Sequence, residues 1–375
     1  MKKIGIVITN IENNGGAERS AVNLANELTK LYEVHLIGYF GKNSYYNLNN
    51  KVKLHVLVSN IDNNDMKIKK QLIKLSILLR EYVKNNSLEI LIVINRYTVL
   101  PTVMSKFTTK VKLLCCEHSS LNGYEMIENN FLGKIHRIIL LNYIYKFVAN
   151  RVIFLTKRDA DIYSSKYSCS NKAIYIYNFI DDMLLLKVNQ YKIKSKKIIT
   201  VGRINFAKGY EYLIKVAKLV FAKYPDWTWY IYGDGDVKYK NKIISLIKEN
   251  NLQNNIILQG NHSNIYDLYQ EYSFYVMTSR YEGLPMVLLE AKAKKLPIVS
   301  FDINSGPSDI VRDGIDGLLV RAFDCNAMAE KICELIKNRE LRQKFSDNAH
   351  GNINKFNKKK IIEQWRNLIE QIINE

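Results

Sequence analysis

The chain has 375 residues, 47% of them apolar, and a formal net charge of +19. This length exceeds one ordinary hydrophobic core and suits two α/β domains of about 150 to 200 residues each. No apolar run reaches the ~20 residues of a membrane-spanning helix, and Met1–Ile4 lead into a strand-like run rather than a signal peptide. We therefore expect a cytoplasmic protein with two packed cores.

The positive charge is concentrated in the first half, where residues 1–178 carry 25 Lys and Arg against 13 Asp and Glu. A basic surface favours an anionic ligand or an anionic membrane. A nucleic-acid-binding protein is the non-enzyme alternative, although the sequence has no helix-turn-helix, zinc-finger or aromatic RNA-binding signature. The five cysteines show no spacing typical of a metal site, so we expect reduced thiols.

Strand-like apolar runs alternate with helical patterns along the whole chain. The first series of predicted strands is Ile4–Ile8, Val34–Tyr39, Leu88–Ile94, Val111–Cys115, Val152–Leu155 and Ala173–Tyr177. The second series is Lys197–Gly202, Thr228–Tyr232, Asn255–Gln259, Phe274–Thr278 and Pro297–Phe301. The predicted helices between them include Ala17–Leu31, Tyr210–Tyr224 and Pro285–Lys294. Such alternation indicates the α/β class, with parallel sheets and crossover helices.

The segment Asn178–Lys194 is the predicted linker between the two series. We therefore expect an N-terminal domain at residues 1–178 and a C-terminal domain at residues 179–356, each built on a doubly wound sheet. The last predicted helix, at about residues 357–375, follows all the strands, and we expect it to pack back across the domain junction.

The first chemical motif, Gly15-Gly16, follows the strand Ile4–Ile8 and a short loop. Paired glycines let the backbone approach a ligand closely, and the N-terminus of the next helix offers unpaired N–H groups to an anion. A tight turn explains the two glycines about as well, and the motif is not the GxGxxG dinucleotide fingerprint.

The second motif, Arg203 with Lys208, follows the strand Lys197–Gly202. Open α/β sheets bind ligands at the carboxyl ends of their strands. An Arg fork and a Lys point charge in one short loop suit a diphosphate, whereas the alternative is a pair of solvated surface cations.

The third motif runs from Glu282 to Glu290 and is the most informative. Pro285 fits the first helical position, where its missing N–H costs nothing, and the N–H groups of Met286–Leu288 are then available to phosphate oxygens. One carboxylate lies in the loop and the other inside the helix, so we expect them to contact different parts of one ligand. Carboxylates are good acceptors for sugar and ribose hydroxyls.

Together these motifs resemble the retaining glycosyltransferases of family 4, which have two facing Rossmann-like domains, the GT-B fold. The resemblance covers nearly the whole chain and rests on segments in the expected order: Gly15–Arg19, Glu117-His118, Val201–Arg203, Lys208-Gly209, Tyr232–Gly235 and the pair Glu282 and Glu290. One departure is Phe179 in the linker, where the family commonly has glycine.

The resemblance implies a role for each site residue. Arg203 and Lys208 hold the donor diphosphate, which Gly16 approaches. Glu282 binds the donor sugar and Glu290 binds the ribose. The predicted catalytic residues, which include the histidine that follows strand Val111–Cys115, are His118, Glu282, Arg203 and Lys208. The predicted donor-binding residues are Gly15, Gly16, Arg203, Lys208, Gly283, Leu284, Pro285, Met286, Val287 and Glu290.

A competing motif, Asp234-Gly235-Asp236, spells the DxD signature of metal-dependent transferases, whose carboxylates hold Mn²⁺ or Mg²⁺. Here it ends the second strand of the second series and begins with Tyr-Gly, as the glycine turn of the GT-B family does. We therefore expect no metal cofactor.

Two segments of the first half, Met66–Lys84 and Lys134–Arg151, mix apolar residues with cations. Basic amphipathic helices suit anionic lipid headgroups or a lipid diphosphate, whereas the alternative is a core-facing stripe with a solvated face. The cations expected to face a membrane or acceptor are Lys67, Lys70, Lys74, Lys134 and Arg137.

The overall expectation is a metal-independent, retaining transferase, peripherally bound at the inner face of the cytoplasmic membrane. It moves a hexose or N-acetylhexosamine from a nucleotide sugar, with UDP the expected nucleotide, to a glycan or lipid-linked acceptor in cell-surface polysaccharide synthesis. A nucleotide-sugar epimerase or a phosphorylase-like enzyme of the GT-B type is the enzyme alternative.

Overall fold

The computed structural model describes residues 1–59, 68–121, 123, 126, 131–167, 171–186, 191, 193–262 and 265–375. The chain divides into two compact units. The first unit comprises Met1–Asn178 with Lys359–Glu375, and the second comprises Phe179–Lys358. Within the described parts of the chain, no helix is long and apolar enough to cross a membrane.

The first unit is built on a sheet of seven strands in the order β3-β2-β1-β4-β5-β6-β7. Every neighbouring pair in it runs parallel. Its central strands are buried on both faces, which explains their continuous apolar runs. The strands are β1 (Lys3–Asn10), β2 (Glu33–Phe40), β3 (Lys53–Val58), β4 (Ile90–Ile94), β5 (Lys112–Glu117), β6 (Arg151–Phe154) and β7 (Ala173–Tyr175).

Helices flank this sheet. They are α1 (Gly16–Leu28), α2 (Ile68–Asn86), α3 (Arg96–Lys106), α4 (Phe131–Ile138), which continues as a π-helix (Ile139–Val148), and α5 (Lys157–Tyr167). The final helix of the chain (Lys358–Asn374) lies against the same unit. Its Glu370 accepts hydrogen bonds from the Lys2 ammonium at 2.6 Å and the Tyr32 hydroxyl at 2.9 Å, and Arg151 pairs with Glu375.

The second unit is built on a parallel sheet of six strands in the order β10-β9-β8-β11-β12-β13. The strands are β8 (Lys197–Val201), β9 (Thr228–Tyr232), β10 (Ile256–Gly260), β11 (Phe274–Met277), β12 (Ile298–Asp302) and β13 (Gly317–Arg321). The helices of this unit are α6 (Asp182–Leu186), α7 (Tyr210–Phe221), α8 (Val237–Glu249), α9 (Ile265–Leu268), α10 (Met286–Ala293), α11 (Pro307–Ile310), α12 (Cys325–Lys337) and α13 (Arg339–Asn348). The α/β class predicted from the sequence is confirmed.

Two strands, β3 and β13, were not predicted from the sequence. Both lie at the edges of their sheets. The edge strand β3 alternates polar and apolar residues, and its first half is largely exposed. β13 has only a short apolar run directly after the Asp316-Gly317 turn. Edge strands need less apolar sequence than central ones, so composition alone did not distinguish these from loops.

In each sheet the strand order reverses at one point, between β1 and β4 in the first and between β8 and β11 in the second. Ligands of open α/β sheets bind beside such a point, at the carboxyl ends of the strands. The loop with Gly15-Gly16 follows β1, the loop with Arg203 and Lys208 follows β8, and the loop with Glu282 follows β11. The three motifs therefore lie beside the strand-order reversals of the two sheets, where open α/β sheets have their ligand-binding crevice.

Candidate functional site

The loop after β8 is held in a fixed turn. The Asn205 side chain accepts a hydrogen bond from the Lys208 N–H at 3.3 Å and so caps a short 3₁₀ turn, Phe206–Lys208. Gly209 follows in the left-handed conformation, with φ of 63°. A Cβ atom there would collide with the carbonyl oxygen of Thr278, at the end of β11. Glycine is therefore required where this turn packs against the neighbouring strand.

Lys208 and Glu282 form an ion pair across the two loops. The Lys208 Nζ lies 2.7 Å from the Glu282 Oε1, and their side chains are 22% and 13% exposed. The Ser279 hydroxyl donates a second hydrogen bond to the same carboxylate oxygen at 2.6 Å. The two residues predicted separately from the sequence are thus brought into direct contact.

Arg280 joins the same two loops from the side. Its Nη1 donates to the Phe206 carbonyl at 2.6 Å, its Nη2 lies 3.0 Å from the Glu211 carboxylate, and its backbone N–H donates to the Ala207 carbonyl at 2.7 Å. Its guanidinium also lies 4.2 Å from the centre of the Phe206 ring. Arg280 therefore fixes the Phe206–Lys208 turn against the loop that carries Glu282.

The carboxylate that receives Arg280 is itself strongly held. Tyr239 donates to Glu211 at 2.7 Å, and the Lys242 ammonium lies 3.0 Å away. Burial alone would raise the pKa of Glu211, but these hydrogen bonds lower it to about 2. Glu211 therefore stays ionised, and the Arg280 pair persists, across the whole physiological pH range.

Helix α10 begins one residue later than the sequence predicted. Pro285 precedes the helix, because its ψ of 97° is extended rather than helical. The Pro285 carbonyl accepts the Leu288 N–H at 2.9 Å, so the expected availability of that N–H is wrong. The N–H groups of Met286 and Val287, the first two helical positions, have no acceptor within the helix.

The Gly283–Pro285 segment is packed from outside by the loop after β12. Gly306 has a φ of 99°, and a Cβ atom there would collide with the Pro285 ring and the Gly283 carbonyl. The Ser305 hydroxyl donates to the Gly283 carbonyl at 3.3 Å. Leu284 is buried. The approach to α10 is therefore fixed by packing.

Glu290 lies inside α10 and is 2% exposed. The Tyr269 hydroxyl donates to its carboxylate at 3.0 Å. Burial, together with this nearby carboxylate, raises the pKa of Tyr269. Glu290 is thus buried and hydrogen-bonded inside the second unit, whereas Glu282 is partly exposed.

Arg203 differs from Lys208. Its side chain is exposed, and it makes no hydrogen bond or ion pair with any other residue that the structure describes. An exposed guanidinium beside a fixed turn is available to an incoming anion.

The two carboxylates of the DxD motif serve the local fold. Asp236 caps helix α8 by accepting the Tyr239 N–H at 3.0 Å, and Asp234 pairs with the Lys240 ammonium at 2.9 Å. Among the described residues, no three His, Cys, Asp or Glu side chains are grouped so that they could hold a metal ion.

In the first unit, Gly15 caps helix α1, and its carbonyl accepts the Arg19 N–H at 3.0 Å. A Cβ atom at Gly16 would meet no atom within 4 Å. Packing within the chain does not require glycine at this position, so space remains beside its backbone.

His118 directly follows β5, with its side chain partly exposed. Burial lowers the pKa of His118 to about 4, so the imidazole is neutral near pH 7. The preceding Glu117 is buried and accepts a hydrogen bond from Tyr145. The His118 imidazole is therefore not a cation near pH 7.

Four of the five cations expected at a membrane or acceptor surface lie within the described residues. Lys70 and Lys74 are exposed on α2, Lys134 is exposed on α4, and Arg137 on α4 is half-buried. Lys67 lies outside the described residues.

Comparison with known proteins identifies the class. Residues 14–183 match the family Glycosyltransferase Family 4, and residues 185–351 match Glycosyl transferases group 1. An uncharacterized glycosyltransferase of Haemophilus influenzae is 30% identical over 98% of this chain and 100% of its own length. The amylovoran biosynthesis glycosyltransferase AmsD of Erwinia amylovora is 28% identical over the same shares.

Solved structures share the fold. The HepE protein of Anabaena in complex with UDP and glucose has a TM-score of 0.81 at 16% identity, covering 99% of this chain and 100% of that one. Sucrose-phosphate synthase of Thermosynechococcus elongatus has a TM-score of 0.86 at 17% identity, with both chains covered completely. The chain belongs to the glycosyltransferases of the GT-B type, as the motif resemblance predicted.

Arg280 was missed in the sequence, where the only signal is a cation two positions before Glu282. We predict that Arg280→Lys, which keeps the charge but loses the planar fork, raises the KM for the sugar donor about tenfold, which corresponds to about 1.4 kcal/mol. Lys242→Met is the matched control, because Lys242 touches the same Glu211 carboxylate from a largely exposed position. Steady-state kinetics that show equal KM values for both variants would contradict the positioning role.

Proposed function

We propose that this chain is a metal-independent, retaining glycosyltransferase that moves a hexose or N-acetylhexosamine from a UDP-sugar to a glycan or lipid-linked acceptor in cell-surface polysaccharide synthesis. The observation that carries the proposal is the Lys208–Glu282 contact at the strand-order reversal of the second sheet. It places a cation suited to phosphate oxygens next to a carboxylate suited to sugar hydroxyls.

In this proposal the donor diphosphate binds three groups of the second unit. Arg203 supplies a guanidinium that is exposed before binding. Met286 and Val287 supply the N–H groups of a helix N-terminus. Lys208 exchanges its pairing with Glu282 for a phosphate oxygen, and Glu282 is then free to accept hydroxyls of the sugar.

The chemistry follows from the charge that develops on the leaving nucleoside diphosphate. Arg203, Lys208 and the α10 N-terminus stabilise that charge without a metal. The acceptor hydroxyl attacks from the face that the leaving group departs, and a donor phosphate oxygen takes its proton. Glu290 accepts the ribose hydroxyls, and its burial against Tyr269 argues against a role as a second catalytic carboxylate.

The first unit binds the acceptor in this proposal. The backbone at Gly16 has open space into which donor phosphates can approach. His118, neutral near pH 7, donates or accepts a hydrogen bond at the transferred sugar. Lys70, Lys74, Lys134 and Arg137 face anionic headgroups at the cytoplasmic side of a membrane.

The relatives support this choice of donor and acceptor. A Campylobacter jejuni enzyme that is 27% identical over all of this chain is named as a GalNAc transferase acting on an undecaprenol diphosphate glycan. HepE binds UDP and glucose in its crystal structure. A nucleotide-sugar epimerase or phosphorylase-like enzyme is the alternative, and it differs because it needs no glycan acceptor.

The proposal is tested by thermal unfolding of the purified protein with UDP, GDP, ADP and CMP, each with and without EDTA. A ligand that binds only the folded state raises the unfolding temperature with concentration. We expect UDP to stabilise the protein equally with EDTA present. Stabilisation that disappears with EDTA would restore a metal role for Asp234 and Asp236, and no response to any nucleotide would contradict the donor site.

The two glutamates are predicted to separate turnover from binding. Glu282→Gln lowers kcat about 100-fold and leaves the Kd for UDP within about threefold, because it contacts the sugar rather than the nucleotide. Glu290→Gln weakens UDP binding about tenfold, in line with a charged hydrogen bond worth about 1.5–3 kcal/mol.

Tyr269→Phe is the control for the second variant, because it removes the internal hydrogen bond to Glu290 but leaves the carboxylate in place. Calorimetric titration with UDP measures the binding. If Tyr269→Phe weakened UDP as much as Glu290→Gln, the effect would come from packing, and the ribose role would be wrong.

A further inference from the structure

The segment from Phe131 to Val148 presents an apolar face to solvent. Phe131 is 76% exposed, Leu132 67%, Tyr143 61% and Phe147 67%. Positions four apart fall on one side of α4 and of the π-helix that continues it, because i+4 is close to one turn in both. Further exposed apolar residues on this segment are Ile135, Ile138 and Ile139.

The opposite side of the same segment packs normally into the core. Leu140, Leu141, Ile144 and Tyr145 are buried and belong to the hydrophobic cluster that covers one face of the first sheet. The segment is therefore apolar on two sides, and the chain buries only one of them. Contiguous exposed apolar surface of this kind marks an interaction site.

Two neighbouring helices extend this surface. On α2, Lys70, Ile73, Lys74 and Ile77 share one face at helical spacing, and Ile73 is 68% exposed. On α3, Phe107, at the C-terminal end, is 79% exposed.

Contacts show that α3 lies between the other two helices. The Ser76 hydroxyl of α2 lies 3.7 Å from the Met104 sulfur of α3, and the Lys106 ammonium of α3 donates to the Val148 carbonyl at 2.9 Å. We define the basic–apolar face by the following exposed residues of these helices: Lys70, Ile73, Lys74, Ile77, Met104, Phe107, Phe131, Leu132, Lys134, Ile135, Ile138, Ile139, Tyr143 and Phe147.

The positive charge of the basic–apolar face favours an anionic bilayer as its binding partner. Between Phe131 and Val148 the sequence has Lys134, Arg137 and Lys146 but no Asp or Glu. Apolar side chains beside cations suit a bilayer interface, where the apolar groups enter the acyl boundary and the cations meet anionic headgroups. A second copy of the chain would bring the same cations together, since a two-fold interface repeats one patch on both sides.

The face begins near the ligand end of the first sheet and extends toward the opposite edge, where α3 and the π-helix end. All of its strands run parallel, so α2 and α4, each on the way to the next strand, begin near the edge where the carboxyl ends lie. The first turns of these helices carry Lys70 and Phe131, and the same edge carries Gly16 and His118. The end of the face with Lys70 and Phe131 would therefore hold a lipid-linked acceptor near the loops that carry Gly16 and His118.

We infer that the basic–apolar face inserts its exposed aromatic and aliphatic side chains into the interface of an anionic bilayer, so that attachment is hydrophobic as well as electrostatic. The assignment of the bilayer as the source of the acceptor rests on the proposed function. The insertion itself rests only on the exposure, spacing and charge of these residues.

Vesicle flotation at low salt and at about 1 M salt tests the inference, because exposed charges are screened beyond about 3 Å at the higher concentration. We expect the wild-type chain to bind vesicles containing phosphatidylglycerol and to stay largely bound in high salt. A variant with Phe131→Ser, Leu132→Ser, Tyr143→Ser and Phe147→Ser should bind at least tenfold more weakly. The matched control, Leu186→Ser with Val237→Ser, changes residues of the second unit that are 74% and 71% exposed and should bind normally.

Three outcomes would overturn the inference: wild-type binding by the serine variant, complete release of the wild type in high salt, or a concentration-dependent dimer in sedimentation that the serine variant abolishes. Circular dichroism and thermal unfolding check that both variants fold. UDP stabilisation, measured on the same samples, separates the two claims. A UDP response without vesicle binding would refute insertion alone, and vesicle binding without a UDP response would refute the donor site alone.

Discussion

The site depends on the parallel arrangement of the strands, because it places all carboxyl ends of a sheet at one edge. In the second unit, β8 and β11 are neighbours although more than seventy residues separate the loops that follow them. The Lys208–Glu282 ion pair forms across these loops, and Arg280 holds the two backbones together beside it. A partly exposed pair of this kind is worth little to stability by itself. In the proposed function its value is positional, because it keeps a cation for the phosphate oxygens and a carboxylate for the sugar hydroxyls side by side.

The sequence was sufficient for the central strands and for the order of the motifs, because parallel central strands are continuous apolar runs and glycines mark the turns that follow them. It was insufficient for the edge strands β3 and β13, where half-exposed or very short runs look like loops. The start of α10 was also misplaced by one residue. A proline fits either the cap or the first helical position, and only its ψ of 97° decides between them.

The positions of the candidate site residues were predictable where a motif isolates them, and their contacts were hidden where the partners are distant in the sequence. Glu282 and Lys208 were each predicted to bind a ligand. The ion pair between them depends on the strand order, which composition does not reveal. Arg280 and Tyr269 act through partners far away in the chain, at Phe206 and Glu290. The exposed apolar side of the Phe131–Val148 segment was hidden for a related reason. A helix that is apolar on two sides gives no periodic signal that tells which side is buried.

Hydrogen exchange with and without UDP, in the presence of EDTA, tests the central claim most directly, because it locates the nucleotide along the chain. The account predicts slower amide exchange in the peptides that contain Arg203–Gly209 and Glu282–Glu290, at a UDP concentration that saturates the protein. Exchange that is unchanged in both segments, or slowed only elsewhere, would contradict a donor site built on the Lys208–Glu282 pair.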